Sequence, residues 1–268
     1  MHVHWYNERY LPLFIANGVT GVRQMSGEEV HHEWRQRMKD GSLAGPRQSI
    51  ASPIIDGPKP VWEGSVAVAD AIQAREAVRG SRKDGADFIK VYTLLPRGAY
   101  FAIAEETKKE GIPFGGHVPF AVRLTEASDA GQKSVEHLSG FLLAASSHEE
   151  HIQMQLIAAM SSSQPYAETS AVMRRQSKEL RNTFDPKKAA AIDGRLARNH
   201  TWQAPTLTVL RAMANFDDPK FTSDARLKYM PHSIREQWNP RNDFRLKQRT
   251  ADGPHWARCW RMWRLSPA

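Results

Sequence analysis

The stretch Gly85-Ala86-Asp87-Phe88-Ile89-Lys90-Val91-Tyr92-Thr93 (GADFIKVYT) decides the fold. A glycine opens it, and aromatic and β-branched residues then crowd Asp87–Thr93, the composition of a short, well-covered strand. Tyr100–Glu110 follows with a helical pattern closed by Gly111, and Pro113–Val118 begins another short strand. Strand, helix and strand at this spacing form a βαβ unit, which requires a parallel sheet.

The same alternation continues in both directions. Upstream, Val19–Arg23 (VTGVR) reads as a strand, Glu28–Lys39 as a polar helix and Arg47–Ala51 as a strand. Val66–Arg79 has apolar residues at helical spacing, with Gly80 as its stop. Downstream come a short helix, Thr125–Ala130, closed by Gly131, a strand at Ser134–Leu138, and helical sequence from Ser147 to Asn199. Ser161–Gln164 is a low-complexity linker within it, and Trp202–Val209 reads as one more strand. Two architectures satisfy such a pattern. An open doubly wound sheet needs a G-x-G-x-x-G turn after its first strand, and the chain has none. A (β/α)8 TIM-type barrel is therefore expected, incomplete at about seven strands.

Composition narrows the function. The chain has 268 residues, 41% apolar and 25% charged, ordinary globular values. No run of 18 apolar residues is present, so no membrane-spanning helix is expected. Met1-His2-Val3-His4 lacks the basic-then-apolar pattern of a signal peptide, and the lone cysteine, Cys259, excludes internal disulfides and cysteine-rich zinc sites. As written, the chain suits the cytoplasm. Of the net charge of +8, +5 falls between Arg241 and Ala268, where seven basic residues face two aspartates. The upstream body shows no basic face with aromatic platforms, so no nucleic-acid partner is expected.

The chemistry sits at strand ends. His2 and His4, at i and i+2, share one face of a strand and can reach one cation. Lys90 interrupts an apolar strand, either as a strand-end residue reaching solvent or as an amine facing the barrel interior with Tyr92 on the same face. His117 and His137 each stand where an apolar strand gives way to a loop, which in a barrel is the C-terminal rim that carries active sites. Neutral imidazoles suit zinc. His31-His32 and the pair His148 and His151 read as solvated helix faces.

The ordered set resembles the metal-dependent amidohydrolase superfamily, in its imidazolonepropionase-like and Xaa-Pro dipeptidase-like branch. The resemblance runs from Met1 to about Thr250 through MHVHW, GVTGVRQMSG, GADFIKVY, GIPFGGHVP, AGQKSVEHLSG and WQAPTLTVL. It implies metal ligation by His2, His4, Lys90, His117 and His137, with Lys90 carboxylated and bridging two zinc ions. A hydroxide held between those ions would attack a carbonyl carbon and hydrolyse a C–N bond in an amide, cyclic amide or dipeptide. Tyr92 is assigned to substrate binding.

Two departures accompany it. The family begins before the His-x-His strand with a small β-sandwich, whereas here the chain starts at the motif, so it reads as truncated at both ends. The family's eighth-strand aspartate, in a Gly-Thr-Asp setting, has no counterpart; Asp243 and Asp252 follow no apolar strand and receive no catalytic role. Residues 1–250 are thus read as the barrel. Ala251–Ala268 (ADGPHWARCWRMWRLSPA), with three of the eight tryptophans, is read as an irregular and possibly out-of-frame tail, the competing reading being a Trp/Arg segment for a membrane or a partner. Without the aspartate, the alternative to an active hydrolase is an inactive truncated remnant. The expected partner is a small-molecule substrate, with no nucleic acid and no membrane; assembly into a homo-oligomer stays open.

Overall fold

Alternation along β5 (Phe88–Val91) organises the barrel. Ile89 and Val91 turn to the helical layer, where they pack with Ala74, Val78, Tyr100 and Ile103 in the principal core. Phe88 and Lys90 turn to the other face, as a period of two requires. Full burial of each aliphatic side chain in such a core contributes about 1.5–3 kcal/mol.

The computed structural model describes residues 1–5, 7–215, 223–237, 239 and 242. The chain divides into two units, Met1–Pro205 and Thr206–Ala268. In the first, β1 (His2–Val3), β2 (Gly21–Gln24), β3 (Arg47–Asp56), β5, β6 (Phe114–Gly116), β7 (Ser134–Glu136) and β8 (Trp202–Ala204) lie side by side in that order, and β4 (Val66–Ala67) pairs with the end of β3. Every ladder is parallel. The helices α1 (Leu11–Ala16), α2 (Glu29–Lys39), α3 (Ala71–Lys83), α4 (Arg97–Lys109), α5 (Leu124–Asp129), α6 (Phe141–Ala144), α7 (Glu149–Met160), α8 (Pro165–Asn182) and α9 (Pro186–Arg198) make the connections. The sheet curls until His2 on β1 meets Glu136 on β7 at 2.7 Å. Among the described residues the path ends at β8 with no ladder back to β1. This is the expected barrel, nearly closed and incomplete.

Local chemistry sets the boundaries. The Asp70 carboxylate accepts the Ile72 and Gln73 N–H groups and so starts α3, and Asp185 does the same for α9 at Lys187 and Lys188. The apolar pattern beginning at Val66 is therefore split: Val66–Ala67 form β4, and the helix begins only after the cap. Gly80 does not stop α3, which continues to Lys83. β3 runs past Ala51 to Asp56, because a register shift between Ala51 and Ile54 absorbs Pro53, which has no N–H for the ladder. Trp202–Val209 is not one strand. Pro205 ends β8, and the second unit opens with α10 (Leu207–Ala214). That unit also contains a 3-10 turn at Ala225–Tyr229, capped by Asp224 through the Arg226 N–H, and a short helix at His232–Gln237.

Among the described residues no helix is long and apolar enough to cross a membrane. The segment Ala251–Ala268, Asp243 and Asp252 lie outside the described residues.

Candidate functional site

Lys90 is placed by a repair to the broken ladder of β3. Where Pro53 interrupts that strand, Ser52 Oγ accepts the Lys90 N–H at 2.9 Å and donates to Pro53 O at 2.7 Å. The Lys90 side chain then points into the barrel and is 1% exposed. It does not reach solvent. Its Nζ lies 5.7 Å from the centre of the Tyr92 ring. Burial pushes the amine down to about 8, against the attraction of Glu136 and together with the repulsion of Arg23.

His117 is placed by Gly116, whose φ of 139° belongs to a region that side-chain-bearing residues avoid. A Cβ there would stand 2.1 Å from Val91 O. The glycine lets β6 press against β5, and the His117 N–H continues the ladder to Val91 O at 3.1 Å. His137 is set by the backbone too. It leaves β7 at φ 60°, with Leu138 at φ 55°, and its N–H donates to Ala204 O at 2.9 Å. Consecutive left-handed residues other than glycine are strained, and such strain collects at functional sites.

The four histidines predicted from strand ends meet at one end of the barrel. Ring centres are 5.1 Å apart for His2 and His4, 4.8 Å for His2 and His137, and 5.0 Å for His117 and His137. His2 Nε2 and His4 Nε2 are 3.1 Å apart. Two nitrogens on a tetrahedral zinc, each at about 2.0–2.1 Å, stand about 3.3 Å apart. Tyr92 stacks on His117 with ring centres 4.0 Å apart, and its hydroxyl accepts the Trp62 indole N–H at 2.7 Å.

Burial disfavours the imidazolium at His2, His4 and His117. Burial followed by the nearby Lys90 and histidine charges drives His117 well below its ordinary value. His2 is lowered by burial against the hydrogen bond with Glu136. The surrounding protein, then His2 and Lys90, push His4 down to about 3 although that residue keeps one side open to solvent. Neutral imidazoles are the form that ligates metals.

Three residues absent from the sequence reading hold these rings. Thr93 Oγ1 lies 2.7 Å from His117 Nδ1, and His117 Nε2 is buried with no hydrogen-bond partner among the described residues. Glu136, fully buried, lies 2.7 Å from His2 Nδ1 through Oε2 and takes Arg23 Nη1 at 3.0 Å through Oε1. Burial alone would raise the Glu136 carboxyl; the His2 hydrogen bond and the Arg23 and Lys90 charges outweigh it and hold the group at about 2. A carboxylate in a strand beside a predicted ligand was the available signal. It lacked meaning until the sheet was known to bring β7 opposite β1.

Among the described residues no three His, Cys, Asp or Glu side chains already form a metal site. The donor set nonetheless fits one: neutral imidazoles, a paired nitrogen spacing near that of zinc ligands, a buried amine, and an unpartnered Nε2.

His31 is not on a solvated face. It is 1% exposed, its Nδ1 accepts the Glu28 N–H, and its Nε2 sits between Gln24 and Trp5 O, a capping role that ties α2 to the first two strands. His148 pairs with Glu179 and His151 with Gln155, on the surface as expected.

Among solved structures, the chain is similar to bottromycin amidohydrolase, with a TM-score of 0.67 and 24% identity over 98% of this chain and 53% of that one. A Xaa-Pro dipeptidase with bound methionine in its active site matches at a TM-score of 0.43, with 21% identity over 74% of this chain and 57% of that one. Ochratoxinase of A. niger matches at 0.43, with 19% identity over 77% and 58%. The first of these likenesses establishes the fold. The chain spans about half the length of these proteins. No family model and no curated protein matches it.

Proposed function

We propose that this chain is the metal-holding part of an amidohydrolase, a hydrolase of C–N bonds in amides, cyclic amides or dipeptides. The reading rests on one observation above the others: the buried His117 Nε2, unpartnered among the described residues, within a cluster of four imidazoles beside a buried lysine. The barrel shared with bottromycin amidohydrolase supports it.

His2, His4, His117 and His137 would hold two zinc ions, with Lys90, carboxylated by carbon dioxide, as the shared ligand. Bound there, the pair supplies Lewis acidity toward a substrate carbonyl and lowers the pKa of a water. The residues of the chain do the rest. Burial favours the neutral Lys90 amine, which is the form that reacts with carbon dioxide. Thr93 keeps the His117 ring from turning. Tyr92, held by Trp62 and stacked on His117, offers an aromatic wall for the apolar part of a small-molecule substrate.

The test is turnover by the zinc-reconstituted chain on N-acyl amino acids, Xaa-Pro dipeptides and cyclic amides, read as released amine. Release is expected to need zinc and to vanish in His117→Ala. A chain that holds zinc yet releases amine from none of the three classes contradicts the hydrolase reading.

A further inference from the structure

We propose that Glu136 is a positioning residue that sets the proton position of His2 before any metal arrives. The inference deepens the metal-holding reading and rests on it for its consequence, although the proton arrangement itself exists without metal.

The argument is one of donors and acceptors. Glu136 Oε1 already takes two donors, Arg23 Nη1 at 3.0 Å and Ser134 Oγ at 2.8 Å. The guanidinium contact favours the ionised carboxylate, which can only accept. Glu136 Oε2 faces His2 Nδ1 at 2.7 Å, so that nitrogen must carry the proton. A neutral His2 then has an acceptor lone pair at Nε2. That lone pair faces His4 Nε2 at 3.1 Å, on the side where the two nitrogens would share a cation. The His2 tautomer that leaves Nε2 free for a metal therefore follows from one carboxylate.

The contrast with Thr93 isolates the effect. A hydroxyl can donate or accept, so Thr93 orients His117 without choosing its tautomer. Glu136 does both for His2. A carboxylate on the remote nitrogen of a histidine ligand fixes ring and tautomer, and losing it typically costs about 10–100-fold in metal affinity.

Glu136→Gln keeps the shape and reverses the direction. The new side-chain amide must present its carbonyl oxygen to Arg23, which can only donate. Its NH2 then faces His2 Nδ1, which must accept, and the His2 proton moves to Nε2.

The experiment is a long-range proton–nitrogen NMR spectrum of histidine-labelled, metal-stripped protein near pH 7.5, with signals assigned by His2→Asn and His4→Asn. The expected wild-type spectrum has the proton on Nδ1 of His2. The His2 proton moves to Nε2 in Glu136→Gln, and zinc affinity in chelator competition falls about 10–100-fold. A wild-type His2 protonated at Nε2 overturns the inference, whether or not the variant folds. So does a folded Glu136→Gln protein with an unchanged His2 tautomer or unchanged zinc affinity. If the wild type shows the expected tautomer and takes up no zinc, the metal-holding reading fails and the positioning role of Glu136 stands.

Discussion

Replacing Gly116 by alanine tests how the His117 position is built. The new Cβ would lie 2.1 Å from Val91 O and 3.1 Å from Lys90 Cδ. A carbon needs about 3.3 Å from a carbonyl oxygen, so β5 and β6 must part by about 1 Å. The residue must also hold φ 139°, a conformation that costs a side-chain-bearing residue about 1–3 kcal/mol. Overpacking adds about 1–3 kcal/mol, and weakening the His117 N–H bond to Val91 O adds about 0.5–1.5 kcal/mol. Together these reach about 3–7 kcal/mol, a large share of a domain stability of about 5–15 kcal/mol. With a urea dependence of about 3 kcal/mol per molar, the midpoint falls by about 1–2 M. The assay is urea unfolding followed by far-ultraviolet circular dichroism, with Gly80→Ala as the control. Gly80 lies inside α3 with nothing within 4 Å of a new Cβ, so that change should stabilise by about 0.5–1 kcal/mol. A Gly116→Ala protein with an unchanged midpoint would refute the claim that close β5–β6 approach positions His117.

Further outcomes follow from other contacts. Lys90→Met should raise the thermal midpoint of the metal-free protein, since it replaces a fully buried amine by an apolar chain of similar length, and should abolish zinc uptake; a lowered midpoint would show that the amine is held by more than the structure contains. Asp56→Ala should cost about 1–3 kcal/mol for each amide left without an acceptor and should speed hydrogen exchange at Leu94 and Val61, whose N–H groups Asp56 takes at 2.7 and 3.0 Å. Acid unfolding should also change in Glu136→Gln. The Glu136 carboxyl is held at about 2, below its unfolded value of about 4.3, so its stabilisation is complete above pH 4.3 and is lost as pH falls toward 2. The stability of the variant should therefore depend less steeply on pH between about 4.3 and 2, and parallel curves would contradict the buried ion network.

Much of the fold was legible because its punctuation is local. Gly111 and Gly131 follow α4 and α5 at φ 64° and 93°, conformations that glycine enters freely, and they end those helices as read. Elements that depend on neighbours were misread. The length of β3 depends on Ser52 mending the ladder at Pro53, and the end of β8 depends on Pro205, which removes a donor. His31 looked solvated within a polar helix because its burial comes from Trp5 and Gln24, distant in sequence. Strand-end position and residue type were enough to nominate His2, His4, Lys90, His117 and His137, and the barrel brings the four imidazoles together with the lysine amine directed inward. Glu136, Arg23 and Thr93 were not nominated, because their roles exist only across strands. Glu136 is 134 residues from His2, and only the curl of the sheet gives it a function.

The most direct test of the central claim is the zinc content of the folded chain, measured by elemental analysis of the gel-filtration peak. The account predicts two zinc ions per chain, lost on His117→Ala with the circular dichroism spectrum retained. A folded chain that emerges without zinc after reconstitution would contradict it.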